Sequence, residues 1–215
     1  MAMKAVIFDF DGTIIDTESM WFEGFKELLD ERFQIELPLD IFAKCVGTTD
    51  ETLFQYIESQ TGTAVNPQEL SQIVRDRFSE KLTKLELREG VRELLEEIKQ
   101  LGYVIGLASS SSKEWVERFL IQFELMDYFS VIKTKEDVLR VKPDPALYLK
   151  ALEELQIEPA EAVAIEDSVN GSMAAIDAGM KCVVIPNQVT SFLNFHEKTI
   201  RFESFADFNF SRICG

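Results

Sequence analysis

The stretch Lys4-Ala5-Val6-Ile7-Phe8-Asp9-Phe10-Asp11-Gly12-Thr13 decides how the rest of the chain is read. An unbroken apolar run leads into two aspartates one residue apart. A near-continuous apolar run, rather than an alternating one, suits a strand of a parallel sheet that is covered on both faces. The aspartates then stand where that strand ends, and Gly12 lets the backbone turn sharply behind them. The whole chain already carries a formal charge of −16, so two adjacent carboxylates call for a chemical reason.

Outward from this stretch, four further runs read as buried strands: YVIGLASS (103–110), FSVIKT (129–134), AVAIED (162–167) and CVVIPN (182–187). Helical patterns lie around and between them, at 91–101, 113–123, 145–155 and 169–179. Strand alternating with helix predicts an α/β fold with a doubly wound, mainly parallel, Rossmann-like sheet. Boundary residues agree. Ser111 and Glu114 read as a capping box, Asp144-Pro145 as an N-cap followed by proline at N1, and Gly179 as a helix-ending glycine.

The interval between the first two strands breaks the alternation. It contains only amphipathic helical patterns, at 18–33, 39–46, 50–61 and 67–82. One parallel crossover needs one helix, not four. The reading is therefore an all-helical cap of residues 17–83 inserted into a core made of 1–16 and 84–215, with chain crossings near 13–17 and 83–89 as a hinge. The aromatic tail, RFESFADFNFSRICG, is expected to pack back on the core through Phe205 and Phe208.

Composition narrows the function. With 215 residues and 46% apolar content the chain can bury a core without metal or disulfide staples. The acidic balance argues against nucleic acid and anionic membrane, both of which need surplus Lys and Arg. No segment approaches the ~20 apolar residues of a membrane span, and the N-terminus does not read as a signal peptide. Cys45, Cys182 and Cys214 form no CxxC pair and read as reduced thiols in a cytoplasmic protein. His196 is the only histidine, which argues against a Ser–His–Asp hydrolase, a Cys–His pair or a His-rich zinc site. Carboxylates remain to do the chemistry.

Ligands of an open parallel sheet bind beyond the carboxyl ends of its strands. The first strand ends in Asp9 and Asp11, the second in Ser109-Ser110, the segment after the third carries Lys142-Pro143, and the fourth ends in Glu166-Asp167-Ser168. Singly, each is explained as a cap or a turn. Together they suit phosphoryl transfer. Asp9, Asp167 and Glu166 form a hard oxygen site for Mg²⁺. Asp9 can attack phosphorus, and Asp11 can protonate the leaving oxygen and later take a proton from water. Ser109, Ser110 and Gly12 can seat phosphate oxygens, and Lys142 supplies a fixed positive charge.

FDFDGT, LASS, KPDP and AIEDS resemble, in order and spacing, the four motifs of the haloacid dehalogenase-like superfamily. The resemblance covers essentially the whole chain, and the helical insertion looks like the cap that this family inserts after its first motif. It implies Asp9 as nucleophile and Mg²⁺ ligand. It implies Asp11 as acid/base with its backbone carbonyl on the metal, Ser109 and Lys142 as phosphate ligands, and Asp167 and Glu166 as the rest of the metal site. The chain is most similar to the β-phosphoglucomutase and phosphoglycolate phosphatase branch. Dehalogenases of the family lack the second aspartate, so Asp11 favours phosphoryl chemistry. Mutases carry a histidine early in the first cap helix and an arginine just after the cap glycine; here those places hold Trp21 and Thr49 or Asp50. That departure favours a phosphatase for a small phosphorylated metabolite over a sugar phosphate mutase. A phosphonatase would need a cap lysine, for which Lys26 and Lys44 stand.

Trp21, Lys44, Gly47, Thr48 and Thr49 are the candidates for a specificity surface on the cap. Plainer readings stand beside them: Trp21 as cap packing, Thr48 and Glu51 as a capping box, and Lys26 and Lys44 as solvated lysines. His196 reads as a surface residue, and Arg75, Arg77 and Lys81 form no single basic stripe. A non-catalytic binding protein of the same fold is the competing class, against which every catalytic position is intact. A monomer is the default assembly.

Overall fold

A computed structural model describes residues 2–208 and residue 213. Its sheet holds six parallel strands: β1 (Ala5–Phe8), β2 (Val104–Ala108), β3 (Val131–Lys133), β4 (Ala162–Glu166), β5 (Lys181–Val184) and β6 (Thr199–Arg201). Their spatial order is β3-β2-β1-β4-β5-β6, so the first strand sits at the centre and the order reverses beside it. Five strands match the apolar runs. The sixth was not foreseen, because Thr199-Ile200-Arg201 is a three-residue edge strand with little apolar content. The other five are shorter than the runs that mark them, so Asp9 and Asp11 lie past the end of β1 rather than within it.

Side chains of β1 alternate between two apolar layers. Val6 and Phe8 join the layer covered by helices α6 (Val91–Gln100) and α7 (Lys113–Gln122). Ala5 and Ile7 join the layer covered by α8 (Ala146–Leu155) and α9 (Val169–Asp177). A strand buried on both faces has no use for alternation, which is why its sequence reads as a continuous run.

Between β1 and β2, before α6, the described residues form α1 (Glu18–Phe33), α2 (Leu39–Ala43), α3 (Glu51–Thr61), α4 (Pro67–Arg77) and α5 (Ser79–Leu82). The pattern read as one helix over 67–82 is two, separated at Phe78. Asn66 caps α4 by accepting the N–H groups of Gln68 and Glu69, with Pro67 in the first turn. The two crossings into and out of this region lie side by side. Ile15 bridges Leu87, and the Arg88 N–H donates to the Ile14 carbonyl across 2.9 Å. The Arg88 guanidinium then donates to the carbonyls of Gly12, Ile185 and Pro186 at 2.6 to 2.8 Å, tying the return crossing to the turn behind Asp11.

Three boundary readings shift. The N-cap of α7 is Ser112, whose hydroxyl accepts the Trp115 N–H, because Ser111 is drawn toward Asp11. Helix α8 begins at Ala146, with Pro145 in the cap position and the Asp144 carboxylate accepting the Ala146 N–H. Helix α3 opens at Glu51 without a side-chain cap, so Thr48 and Glu51 form no capping box. Gly179 follows α9 with φ of +84°, as a helix-ending glycine should. In the tail, Phe205 is buried and Phe208 packs against the same apolar layer, while Cys214 lies outside the described residues. Cys45 and Cys182 are free and buried. Among the described residues no helix is long and apolar enough to cross a membrane.

Candidate active site

Asp9 continues the line of β1: its N–H donates to the Ile165 carbonyl of β4 at 2.9 Å. Its carboxylate is almost fully buried and meets the Lys142 ammonium at 2.5 Å. The same ammonium reaches Glu166 Oε1 at 2.7 Å, so one buried cation serves two buried carboxylates contributed by neighbouring central strands. Asp9, Glu166 and Asp167 each offer an oxygen within 4.8 Å of the others.

Glu166 is saturated. Oε1 also accepts the Tyr148 hydroxyl at 2.7 Å, and Oε2 accepts the Ser168 hydroxyl at 3.1 Å and two backbone N–H groups. Asp167 is held from two sides: Thr13 donates to Oδ1 at 3.1 Å and the Asn187 amide to Oδ2 at 2.7 Å. A Cβ at Gly12, where φ is +79°, would stand 2.3 Å from Asp167 Oδ2, so only glycine lets this turn pass the acid.

The electrostatics follow from three carboxylates and one ammonium in a dry place. Burial and the nearby Glu166 charge push the Asp9 carboxyl up from its ordinary 3.8 to about 7, against the opposing pull of Lys142. Burial and Asp9 push Asp167 well above the usual range. The Lys142 ammonium is held charged by Asp9 and Glu166 despite its burial. A buried, oxygen-rich, over-negative cluster fits a hard divalent cation, which replaces the protons the carboxylates would otherwise keep.

Asp11 has its own set of partners. Oδ1 accepts the Thr17 hydroxyl and the Trp115 indole N–H, both at 2.8 Å, and Oδ2 accepts the Ser111 hydroxyl at 2.6 Å. Ser109 is buried beside it and its hydroxyl accepts the Ser111 N–H at 3.0 Å. Ser110 lines the same cavity, but its hydroxyl donates to the Gly47 carbonyl at 2.9 Å. The Asn170 amide adds two bonds in the same direction, to the carbonyls of Lys44 and Val46 at 3.0 and 2.8 Å. These bonds join the loop after β2 and the first turn of α9 to the loop between α2 and α3.

A cavity of about 750 Å³ opens over Asp9, Asp11, Ser109 and Lys142. Trp21, Gly47, Thr48 and Thr49 also line it. Lys44 does not. Its ammonium lies outside, 3.7 Å from Asp40, and only its carbonyl faces the core. Lys26 is also turned away, over the Phe22 ring. Arg75, which carried no assignment, lines the cavity with its guanidinium over the Trp21 ring, whereas Arg77 and Lys81 pair with Glu31 and Glu23. Glu18 lines it too, its carboxyl raised by burial and by Asp11. His196 sits on the loop before β6, accepting the Lys198 N–H.

Sequence reasoning gave no site role to Thr13, Thr17, Ser111, Trp115, Tyr148 and Asn187. The first three lie in or within a few residues of the motifs and were open to inspection. The other three come from separate helices and loops, and nothing in their local sequence marks them.

A central parallel sheet with this strand order, and acids, serine and lysine at its carboxyl edge, defines a Rossmann-like α/β class with its candidate site at that edge. The family model for haloacid dehalogenase-like hydrolases matches residues 6–185, and the chain belongs to that family. It is 47% identical over 206 residues to YhcW of Bacillus subtilis (strain 168), covering 95% of this chain and 93% of that protein. It is 31% identical over 188 residues to hexitol phosphatase B of Escherichia coli (strain K12), covering 85% and 83%. The crystal structure of CbbY from Rhodobacter sphaeroides in complex with phosphate superposes with a TM-score of 0.79 at 28% identity, over 95% of this chain and 96% of that one. The chain is a hydrolase of this family, among relatives named as phosphatases.

Proposed function

We propose that the protein is a Mg²⁺-dependent phosphatase that hydrolyses a small phosphate monoester through an aspartyl-phosphate on Asp9. The observation that carries this reading is the buried Asp9 carboxylate, held by Lys142 and grouped with Asp167 and Glu166 at the floor of a cavity. Asp9, Asp167 and the Asp11 carbonyl would hold the ion, with Glu166 behind them. The ion supplies positive charge that lets a phosphate dianion approach a cluster of acids.

Asp9 attacks phosphorus, and the bond from phosphorus to the ester oxygen breaks. Asp11 gives its proton to that oxygen. Water then attacks the phosphoryl group, Asp11 takes the water's proton, and Asp9 is released. Lys142 offsets the charge gathering on the phosphoryl oxygens; Glu166 accepts from its ammonium, which also lies over the Tyr148 ring. Ser109 and the backbone N–H of Ser110, in the serine run ahead of α7, bind the non-bridging oxygens.

Residues 17–83 act as a cap, hinged where the crossings pair at Ile15 and Leu87. Trp21, Thr48, Thr49 and Arg75 form its specificity surface. Trp21 occupies the place where a mutase carries histidine, and Asp50 lines the cavity where a second phosphate would have to sit. That supports hydrolysis over isomerisation, and the name of hexitol phosphatase B supports a sugar or sugar-alcohol phosphate.

The test is Mg²⁺-dependent phosphate release across a panel of sugar, sugar-alcohol and glycolate phosphates, with Asp9→Asn alongside. Wild-type release that Asp9→Asn abolishes upholds the reading. Equal rates overturn it. Isomerisation of glucose 1-phosphate driven by a sugar bisphosphate replaces it with the mutase.

A further inference from the structure

We infer that Trp115 is a positioning residue for Asp11, and that its ring ties the orientation of that carboxylate to the placement of helix α1. The inference rests on the reading of Asp11 as the proton-transferring acid.

Asp11 accepts three side-chain hydrogen bonds from three separate places: Thr17 just before α1, Ser111 at the end of the β2 loop, and Trp115 in the first turn of α7. The three donors are not equivalent. A threonine or serine hydroxyl rotates, and can donate or accept as the carboxyl gains or loses a proton. The indole N–H can only donate. At 2.8 Å it is the one donor of the three that cannot reverse its bond, so it fixes Oδ1, and with it the plane of the carboxylate, toward α7.

The indole is itself fixed. The Ser112 cap holds the Trp115 backbone N–H at 3.3 Å, and the ring stands edge-on to the fully buried Phe119, 4.9 Å between centroids. On its other side the ring meets Trp21 of α1 at 6.0 Å, and Trp21 stacks on Phe25 of the same helix at 6.1 Å. A smaller donor would satisfy Oδ1 equally well, but it could not reach from α7 past Asp11 to α1. The size of the residue makes sense if it reads where α1 sits. When α1 is seated against Trp115, Asp11 is held by donors from both sides of the hinge; when α1 moves, Thr17 and the Trp21 contact move with it.

Two measurements test this on the full-length protein. The first needs no turnover. In a ¹⁵N-labelled sample, the Trp115 indole proton should exchange with solvent at least about tenfold faster in Asp11→Ala than in wild type, as expected for loss of a protecting hydrogen bond. An unchanged rate overturns the contact. The second compares Trp115→Phe, which keeps the ring and loses the donor, with wild type. With a sugar phosphate, kcat should fall about 10- to 100-fold, the scale expected for a misplaced general acid, while KM changes little. With p-nitrophenyl phosphate, whose leaving group departs without a proton, the first-turnover burst should persist. Trp115→His, which returns a ring N–H, should recover part of the loss. Wild-type kcat in folded Trp115→Phe, or loss of the burst together with turnover, overturns the role. If the wild type releases no phosphate, the phosphatase reading fails separately, and the exchange comparison alone decides whether Trp115 positions Asp11.

Discussion

The Asn187 side-chain nitrogen lies 2.7 Å from Asp167 Oδ2, so the loop after β5 braces the acid that follows β4. The orientation of that amide is forced. Its oxygen accepts the N–H groups of Val189 and Thr190 and the Thr190 hydroxyl, which leaves only the NH₂ for Asp167. If Asp167 is a ligand of the proposed Mg²⁺, the partner that orients it matters nearly as much as the ligand, so Asn187→Ala should weaken Mg²⁺ binding by roughly 10- to 100-fold. Isothermal titration of Mg²⁺ into the two proteins measures this directly, and an unchanged affinity would show that Asp167 needs no brace.

The pH dependence of stability should reverse with metal. Asp9 is raised from 3.8 to about 7 in the folded chain, and Asp167 is raised in the same direction. The folded state therefore holds protons that the unfolded state has already released. Their stabilising contribution is complete below about pH 4 and is lost as pH rises toward 7. Metal-free protein should thus lose thermal stability, from these groups, between pH 5 and pH 8. If Mg²⁺ is held by the deprotonated acids, as proposed, it should raise the midpoint more at pH 8 than at pH 5. Differential scanning calorimetry with EDTA or Mg²⁺ is the measurement; equal gains at both pH values would contradict it.

Lys142→Met keeps the length of the side chain and removes its charge. Asp9 and Glu166 would then be buried without their cation, a loss on the order of 3–5 kcal/mol. Glu166→Gln in the same chain removes one of the stranded charges, so the double variant should lose less than Lys142→Met alone. Urea denaturation at neutral pH decides the order. Both variants should be inactive.

Ser110 and Asn170 donate three hydrogen bonds to the loop between α2 and α3. If residues 17–83 are a cap, these bonds favour its closed position. Net contributions are about 1 kcal/mol each, so Ser110→Ala combined with Asn170→Ala should raise KM about tenfold or more. Unchanged steady-state kinetics would sink the idea that these bonds govern closure.

Gly171 shows how tightly the site is packed. A Cβ there would stand 1.9 Å from Glu166 Oε1, and Glu166 cannot retreat because Lys142, Tyr148 and Ser168 hold it. Gly171→Ala should destabilise the fold by about 1–3 kcal/mol and displace Lys142. Thermal melts and phosphate release should fall together.

Much of this molecule was legible because the relevant rules are local. An apolar run that does not alternate marks a two-sided strand, and five of the six strands follow from that alone. The sixth is too short and too polar to leave such a trace. Motif residues at strand ends were legible because parallel topology sends every strand's carboxyl end to one edge. Lys44 follows its plainer reading as a solvated lysine. Its position in the chain is near the cavity, but its flexible side chain, just past the short helix α2, lies beside Asp40.

The sequence by itself therefore determined five of the six strands, the edge where they end, and the set of acids, serine and lysine carried there. Tertiary structure alone decided how each of those groups is held. Asp11 takes donors from residues 17, 111 and 115, and Asp167 from residues 13 and 187. The physical reason is the range of the forces involved. Backbone pairing and burial write a periodic pattern along the chain, whereas a hydrogen bond depends on an atom being within about 3 Å. Loops far apart in sequence meet at that distance only once the sheet has been assembled.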